Sequence, residues 1–296
     1  FAAFPTLSNS HQLISMRVEE KTELENIRSG VVGDGRGKPG ERKGILSTIG
    51  NTPLVELLNL SPKPGVRLFA KLEGANPTGS VKDRIALRMI EEAEANGTLT
   101  PDKVILEPTS GNTGISLAMV GKLKGYRVEV VMPKNVSQER IQLLKAFDVQ
   151  THFSDGRQGT NGSIQVAKRM VADADHYFMP YQYGNQSNPD AHYDGTGKEI
   201  VETLPDVDVF IAGLGTGGTL MGTGRRLKEH NDKVQIVAAA PQPDDFIQGL
   251  RSLDDGFIPP ILDLDMLDAR ILIPSEDAFK MTRELLQQDG VFAGVS

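Results

Sequence analysis

The sequence contains no cysteine, so it offers no disulfide and no thiolate ligand for a metal. Its five histidines are scattered, and we expect buried or surface side chains rather than metal ligands. No apolar run approaches the ~20 residues that a membrane-spanning helix needs. Acids outnumber bases by 39 to 32, which gives a net charge of −7. We therefore expect no metal, no membrane span and no nucleic acid as partner.

The first part of the sequence differs in composition from the rest. Residues 1–43 are polar and include a glycine-rich run at 30–40, which is typical of a flexible extension. Residues 1–15 lack the charged start and apolar core of a secretory signal, which favours a cytoplasmic location and leaves a processed organellar leader open. From Ile45 onward, strand and helix patterns alternate. This alternation predicts mostly parallel sheets with helices on both faces and ligands at the carboxyl ends of strands.

One lysine occupies a chemically informative place, within residues 76–84 (NPTGSVKDR). Apolar residues at helical spacing follow over 85–93. Ser80 and Asp83 fit a Ser-x-x-Asp capping pattern, which puts Lys82 in the first turn of that helix. The positive end of a helix dipole favours the neutral amine, which is the form that attacks an aldehyde. Most lysines are solvated surface residues, so this interpretation depends on the motifs that accompany Lys82.

Two other segments are suited to holding an anion. Residues 107–114 (EPTSGNTG) lie between an apolar strand and a helix, where hydroxyls, an amide and backbone N–H groups converge. Residues 213–219 (GLGTGGT) join a strand pattern over 207–212 to another helix, and their glycines let the backbone approach a phosphate closely. Taken singly, such clusters more often serve as caps and turns. The two loops and the lysine together indicate a pyridoxal phosphate enzyme.

The second loop also permits a different interpretation. Gly213, Gly215 and Gly218 have the Gly-x-Gly-x-x-Gly spacing of a dinucleotide site. Such a site needs an acidic residue at the end of the next strand to hold the ribose hydroxyls. Here the strand pattern over 234–238 is followed by no carboxylate before Asp244. The loop therefore fits a simple phosphate site better than a nicotinamide site.

From about Ile45 to Ser296, the sequence resembles the fold-type II pyridoxal phosphate enzymes and, within them, the cysteine synthases. The resemblance combines residues 49–55 (IGNTPLV) with the lysine segment and the two loops. It implies a tryptophan synthase β-like fold of class α/β, with two doubly wound domains of mostly parallel sheets and the cofactor in the cleft between them. The implied domains are 76–186 (the smaller, substrate-loop domain) and 54–75 plus 187–296 (the phosphate-loop domain). The family pattern also implies a homodimer.

The same resemblance gives each motif position a role. Lys82 would form the Schiff base with pyridoxal 5′-phosphate, and Asn112 would hydrogen-bond the ring hydroxyl. The cofactor phosphate would be held by Gly215, Thr216, Gly217, Gly218 and Thr219. The carboxylate of the amino acid substrate would be held by Thr109, Ser110, Gly111, Thr113 and Gln182.

Residues 188–193, 247–253 and 290–296 resemble the B-type cysteine synthases, including those that use O-phosphoserine. The A-type enzymes usually have glycine or another small residue where Arg251 stands. In relatives that accept O-phosphoserine, an arginine at this place contacts the substrate phosphate, which suits a guanidinium fork. The competing interpretation of Arg251 is a surface salt bridge.

The resemblance implies cysteine biosynthesis by β-replacement. O-acetylserine or O-phosphoserine would lose its β-substituent through an α-aminoacrylate on the cofactor, and Lys82 would move the α-proton. The sulfur donor would be sulfide, thiosulfate or a thiocarboxylate, the last delivered by a sulfur-carrier protein. One alternative is a relative of the cystathionine β-synthase or serine/threonine dehydratase type.

A second alternative is a non-catalytic, cofactor-binding homologue. It follows from the family pattern at the C-terminus, which continues beyond Val295 with a helix, a strand and a Ser or Asp. That Ser or Asp pairs with the pyridine nitrogen of the cofactor. We therefore expect this partner to be missing from the sequence and one sheet edge to be open.

Overall fold

The computed structural model describes residues 44–61, 63–109 and 111–296. The predicted extension at 1–43 and Ser110 of the first loop lie outside the described residues. The strands are β1 (Leu54–Glu56), β2 (Phe69–Lys71), β3 (Val104–Pro108), β4 (Arg127–Pro133), β5 (Gln150–Ser154), β6 (Tyr177–Phe178), β7 (Val209–Gly213), β8 (Gln235–Pro241) and β9 (Ala269–Ile273). The α-helices are α1 (Lys82–Ala95), α2 (Asn112–Leu123), α3 (Gln138–Ala146), α4 (Gly159–Asp173), α5 (Ser187–Ala191), α6 (Lys198–Thr203), α7 (Gly218–His230) and α8 (Ser275–Asp289).

Two parallel sheets carry the fold. One has the strand order β5-β4-β3-β6 and the other β7-β8-β9, while β1 and β2 form a small antiparallel pair. Helices connect most of the parallel strands, as the crossover geometry of parallel pairing requires. The predicted class of mostly parallel α/β sheets is confirmed. Because adjacent strands run the same way, the loops that follow their carboxyl ends lie at one edge of each sheet.

Each parallel sheet has its own apolar core. All five residues of β3 are buried, and α1 and α2 pack beside them through Ile85, Met89 and Leu117. The second core gathers around Leu220 and Ile236 of α7 and β8. Strands buried on both faces read as continuous apolar runs, which is why β3 was recognisable in the sequence.

The two sheets fall on either side of the predicted domain boundary. Strands β3 to β6 lie within residues 76–186, and β7 to β9 lie within 187–296. Strands β1 and β2 pair only with each other among the described strands. The assignment of 54–75 to the second domain therefore stays a prediction.

A buried ion network anchors helix α1. The Arg84 guanidinium donates through Nε to Glu73 Oε2 and through one terminal nitrogen to Glu199 Oε1, both at 2.7 Å. Lys71 Nζ lies 2.6 Å from Glu199 Oε2. Burial alone would raise the pKa of Glu199, but the hydrogen bonds from Arg84 and Lys71 outweigh burial and lower this pKa to about 2. The network joins β2, α1 and α6, and it fixes the helix that begins at Lys82.

Candidate active site

Lys82 is the first residue of α1, so its predicted place in the first helical turn is confirmed. The predicted capping pattern is wrong in its pairing. The Ser80 hydroxyl accepts from the Lys82 N–H at 3.1 Å, and the Asp83 carboxylate accepts the Thr78 N–H at 2.7 Å instead of returning to Ser80. Asp83 also accepts hydrogen bonds from the hydroxyls of Thr78 and Ser116. The turn before the lysine is thus fixed to helix α2, which carries Ser116.

The Lys82 side chain is half-buried and electrostatically unusual. Desolvation lowers its pKa to about 8. Within the described part of the chain, its ammonium has neither a hydrogen-bond acceptor nor a carboxylate partner. Near pH 8 a large share of the molecules therefore carries the neutral amine, which can attack a carbonyl carbon.

The first predicted loop connects β3 to α2. Thr109 and Thr113 are buried, the Gly111 N–H donates to Thr109 Oγ1 at 3.3 Å, and Asn112, the first residue of α2, is exposed. The Thr113 hydroxyl donates to Gln182 Oε1 at 2.8 Å. The structure thus brings Gln182 to this loop from nearly seventy residues further along the chain, as the resemblance implied.

A buried glutamate lies beneath Gln182 and was not among the predicted site residues. Glu107 accepts the Tyr181 N–H at 2.7 Å and the Gln182 N–H at 3.0 Å. Burial raises the pKa of Glu107 to about 8, and the two backbone donors act in the opposite direction. Tyr181 has a positive φ of 54°. The sequence feature that could have identified Glu107 is its place as an acidic residue at the end of an otherwise apolar strand.

The second predicted loop lies at the start of α7, where Gly217 adopts φ +89°. Among the described residues, the backbone N–H groups of Gly215, Thr216, Gly217 and Thr219 donate to no protein acceptor. A Cβ on Gly215 would lie 2.9 Å from the Gly249 carbonyl oxygen, and one on Gly218 would lie 1.9 Å from Asn188 Oδ1. Only glycines fit these positions. The result is a concave set of free donors at a helix N-terminus, which suits a phosphate.

A chain of hydrogen bonds connects the two loops. Asn188 is fully buried, and its Nδ2 donates to the Gln182 carbonyl at 2.8 Å and to Thr216 Oγ1 at 3.0 Å. Gln182 in turn accepts the Thr113 hydroxyl. We call this series, from Thr113 through Gln182 and Asn188 to Thr216, the bridging chain. It places the first loop, the Gln182 segment and the phosphate loop in one site.

His192 is a further residue of the site that was not predicted. It is fully buried, with Nδ1 3.0 Å from Thr196 Oγ1 and Nε2 3.2 Å from Thr219 Oγ1. Burial, together with the positive charges of Lys82 and Arg84, holds the pKa of His192 well below its usual range. A neutral ring therefore orients the Thr219 hydroxyl. His192 is the first residue of a π-helical turn, a form often found at functional sites. No spacing pattern in the sequence singles out this histidine.

Arg251 does not form a surface salt bridge in the described structure. Its guanidinium lies 4.7 Å from the Phe257 ring centroid and 5.7 Å from that of Tyr183, and one nitrogen donates to Asn161 Oδ1 at 3.1 Å. Its backbone N–H donates to the Leu214 carbonyl at 2.7 Å, next to the phosphate loop. No carboxylate among the residues with described side chains neutralises the guanidinium. The positively charged Arg251 side chain is thus fixed beside the Gln182 segment by Asn161 and two aromatic rings.

These residues fit pyridoxal phosphate at both of its chemical ends. The glycine loop offers free donors to the phosphate, while Lys82 offers a depressed-pKa amine to the aldehyde. The described residues include no group of His, Asp and Glu suited to a metal ion and no helix that could cross a bilayer. The fold and the site together define an α/β enzyme of the fold-type II pyridoxal phosphate class.

A family model for "Pyridoxal-phosphate dependent enzyme" matches residues 45–296. The chain belongs to this family, which confirms the predicted class and cofactor. A curated cysteine synthase of Aquifex aeolicus (strain VF5) is 43% identical over 261 residues, covering 86% of this chain and 80% of the relative.

Solved structures agree with this membership. A cysteine synthase of Entamoeba histolytica has a TM-score of 0.81 at 35% identity, covering 90% of this chain and 82% of the other. A hydrogen sulfide-producing enzyme of Fusobacterium nucleatum has a TM-score of 0.81 at 39% identity, covering 86% and 88% respectively. The predicted fold-type II architecture is therefore confirmed.

Proposed function

We propose that this chain is a cysteine synthase, a transferase that replaces the β-substituent of an O-substituted L-serine with sulfur. The observation that carries the proposal is the bridging chain, because it joins a carboxylate-binding loop to a phosphate loop beside a lysine of lowered pKa. The cysteine synthases of Aquifex aeolicus and Entamoeba histolytica support it by their similarity.

The cofactor site would be built as follows. Lys82 would hold the cofactor covalently, the loop from Gly215 to Thr219 would bind its phosphate, and Asn112 would contact its ring hydroxyl. When bound, pyridoxal phosphate supplies an electrophilic carbon for amines and a ring that takes up the electron pair from the substrate Cα. The neutral His192 ring would orient the Thr219 hydroxyl without adding a charge to the phosphate site.

The amino acid site would lie over the first loop. The N-terminus of α2, with Thr109, Ser110, Gly111 and Thr113, would receive the substrate carboxylate together with Gln182. Lys82, once released from the cofactor, would take the α-proton on its Nζ and later return it to the product. Its lowered pKa suits this task, since the amine can be neutral and protonated in turn near pH 8.

Arg251 supports a preference for a phosphorylated substrate. Its guanidinium is held by Asn161 and two aromatic rings beside the Gln182 segment, and no described carboxylate neutralises it. We therefore propose that O-phosphoserine is the better substrate, with O-acetylserine also accepted.

Arg251→Ala should raise the KM for O-phosphoserine by about 10- to 100-fold, the usual effect of losing one charge-assisted hydrogen bond. The KM for O-acetylserine should stay within about twofold of wild type, because acetate carries no charge until it leaves. Arg157→Ala serves as control, since Arg157 is exposed and pairs only locally with Asp155. Equal changes for both substrates would contradict the assignment.

Product analysis tests the proposed function directly. Purified protein with pyridoxal phosphate is given O-acetylserine or O-phosphoserine with sulfide, and separately serine with homocysteine. Formation of L-cysteine in the first mixtures supports the proposal. Cystathionine from the second mixture, or pyruvate from serine alone, would favour the cystathionine β-synthase or dehydratase alternative. Cofactor binding without turnover of any of these amino acids would favour the non-catalytic alternative.

Three finer features complete the proposal. The family pattern favours a homodimer, and we propose the cytoplasm or an organellar matrix as the location. Thiosulfate or a thiocarboxylate on a sulfur-carrier protein could replace sulfide as donor. Assays with each donor at equal concentration would rank them by kcat/KM.

A further inference from the structure

We propose that Glu107 is a positioning residue for the substrate carboxylate, acting by holding the backbone of Tyr181 and Gln182. This inference rests on the proposed function, because it assigns Gln182 to an amino acid substrate. Glu107 touches neither substrate nor cofactor in this proposal. It would act through the placement of the Gln182 side chain.

The geometry gives Glu107 a connecting position. It lies at the carboxyl end of β3, and the same strand leads directly into the loop that carries Thr109 and Thr113. Its two carboxyl oxygens accept the N–H groups of Tyr181 and Gln182, at 2.7 and 3.0 Å. One side chain thus links the two halves of the predicted carboxylate site.

The segment that Glu107 holds would not keep this shape unaided. Tyr181 has a φ of 54°, a left-handed conformation that non-glycine residues seldom adopt without support from their surroundings. Directly after it, Gln182 accepts the Thr113 hydroxyl with its side chain and the Asn188 amide with its backbone oxygen, both at 2.8 Å. A shift at Tyr181 would therefore displace Gln182 from the bridging chain.

A role in packing alone does not explain a glutamate here. Glu107 is fully buried, and no lysine or arginine with a described side chain forms an ion pair with it. Burying an unpaired carboxyl costs free energy that an apolar residue of similar size would avoid. What the carboxyl group adds is two oxygen acceptors at a fixed spacing, matched to two adjacent N–H groups.

Glu107→Gln tests the proposal while preserving the shape of the side chain. In the variant, the amide oxygen still accepts one of the two backbone N–H groups. The amide nitrogen is itself a donor and cannot accept the other, so the Gln182 segment loses one hydrogen bond. The KM for the amino acid substrate and the Kd for unreactive L-alanine should rise about 10- to 100-fold. The KM for sulfide and the visible absorption band of the bound cofactor should not change.

Glu129→Gln is the matched control. Glu129 lies on the neighbouring strand β4 and pairs with His152 and Tyr177, so it shares the sheet but not the site. It should leave the KM for the amino acid unaltered. Glu107→Asp is the second variant in case Glu107→Gln does not fold, since the shorter carboxylate cannot reach both N–H groups.

The outcomes separate the two proposals. An unchanged amino acid KM in either folded Glu107 variant overturns the positioning role. So does a parallel loss of sulfide binding and of the cofactor band, or a failure of both variants to fold, since these mark a general structural role. If the wild-type protein itself turns over neither O-substituted serine, the proposed function fails instead, and the alanine affinity still tests Glu107.

Discussion

Lys82→Ala should abolish cysteine formation, with kcat/KM at least about 10³-fold below wild type. Under the proposed function, two roles of one amine would be lost together, the covalent attachment of the cofactor and the transfer of the α-proton. General acid–base catalysis by one side chain alone is worth about 10²–10⁴-fold. The variant should also lose the visible absorption band of the lysine-bound cofactor, which a spectrum with added pyridoxal phosphate would record.

The fold should survive this change. Lys82 has no ion pair within the described residues, and the helix it begins is held by Arg84, Glu73 and Glu199. The melting temperature of the cofactor-free protein should therefore match that of wild type within a few degrees. Lys122→Ala, in the exposed last turn of α2, is the control lysine and should keep full activity. More than a tenth of the wild-type activity in Lys82→Ala would contradict the assigned role.

Gly218→Ala should weaken cofactor binding by about 10²–10⁴-fold. The new Cβ would lie 1.9 Å from Asn188 Oδ1, a distance that forces the loop or the asparagine to move. Asn188 is fully buried and donates to both Gln182 and Thr216, so the loop would move instead. Losing two charge-assisted hydrogen bonds to the phosphate costs about 3–6 kcal/mol. Titrating the cofactor-free protein with pyridoxal phosphate and following absorbance would give the Kd.

A glycine elsewhere provides the comparison. Gly294→Ala meets no atom within 4 Å and should bind the cofactor as wild type does. Alanine normally stabilises a helix relative to glycine by about 0.5–1 kcal/mol, so a loss of affinity at Gly218 could not be ascribed to helix propensity. An unaltered Kd for Gly218→Ala would show that the phosphate is bound elsewhere.

The parts of the fold that depend on local sequence were predictable. The apolar run of β3, the helical spacing after Lys82 and the glycines before α7 each identified an element from its own residues. Most predicted boundaries differ from the observed ones by only a few residues, since fraying and caps are set by neighbours. Strand β8, for example, covers Gln235–Pro241 rather than the predicted 234–238.

The parts that depend on long-range contacts were not predictable from residues alone. Ser80 and Asp83 have capping spacing, yet Asp83 bonds to Thr78 and Ser116 because α2 lies close by. Glu107 and His192 entered the site only when the fold brought distant segments to them. Only family resemblance pointed to Gln182, and no local pattern could have paired it with Thr113. Contacts across many tens of residues leave no periodic trace in the chain.

The bridging chain also bears on how such an enzyme can diverge. Thr113, Gln182, Asn188 and Thr216 share hydrogen bonds, so replacing any one of them should disturb the proposed carboxylate site and the proposed phosphate loop together. Arg251 lies outside the bridging chain, and among the described residues its side chain donates to Asn161 and to no member of that chain. A single substitution at Arg251 can therefore change the preferred leaving group. A change within the bridging chain requires compensating substitutions at its other members.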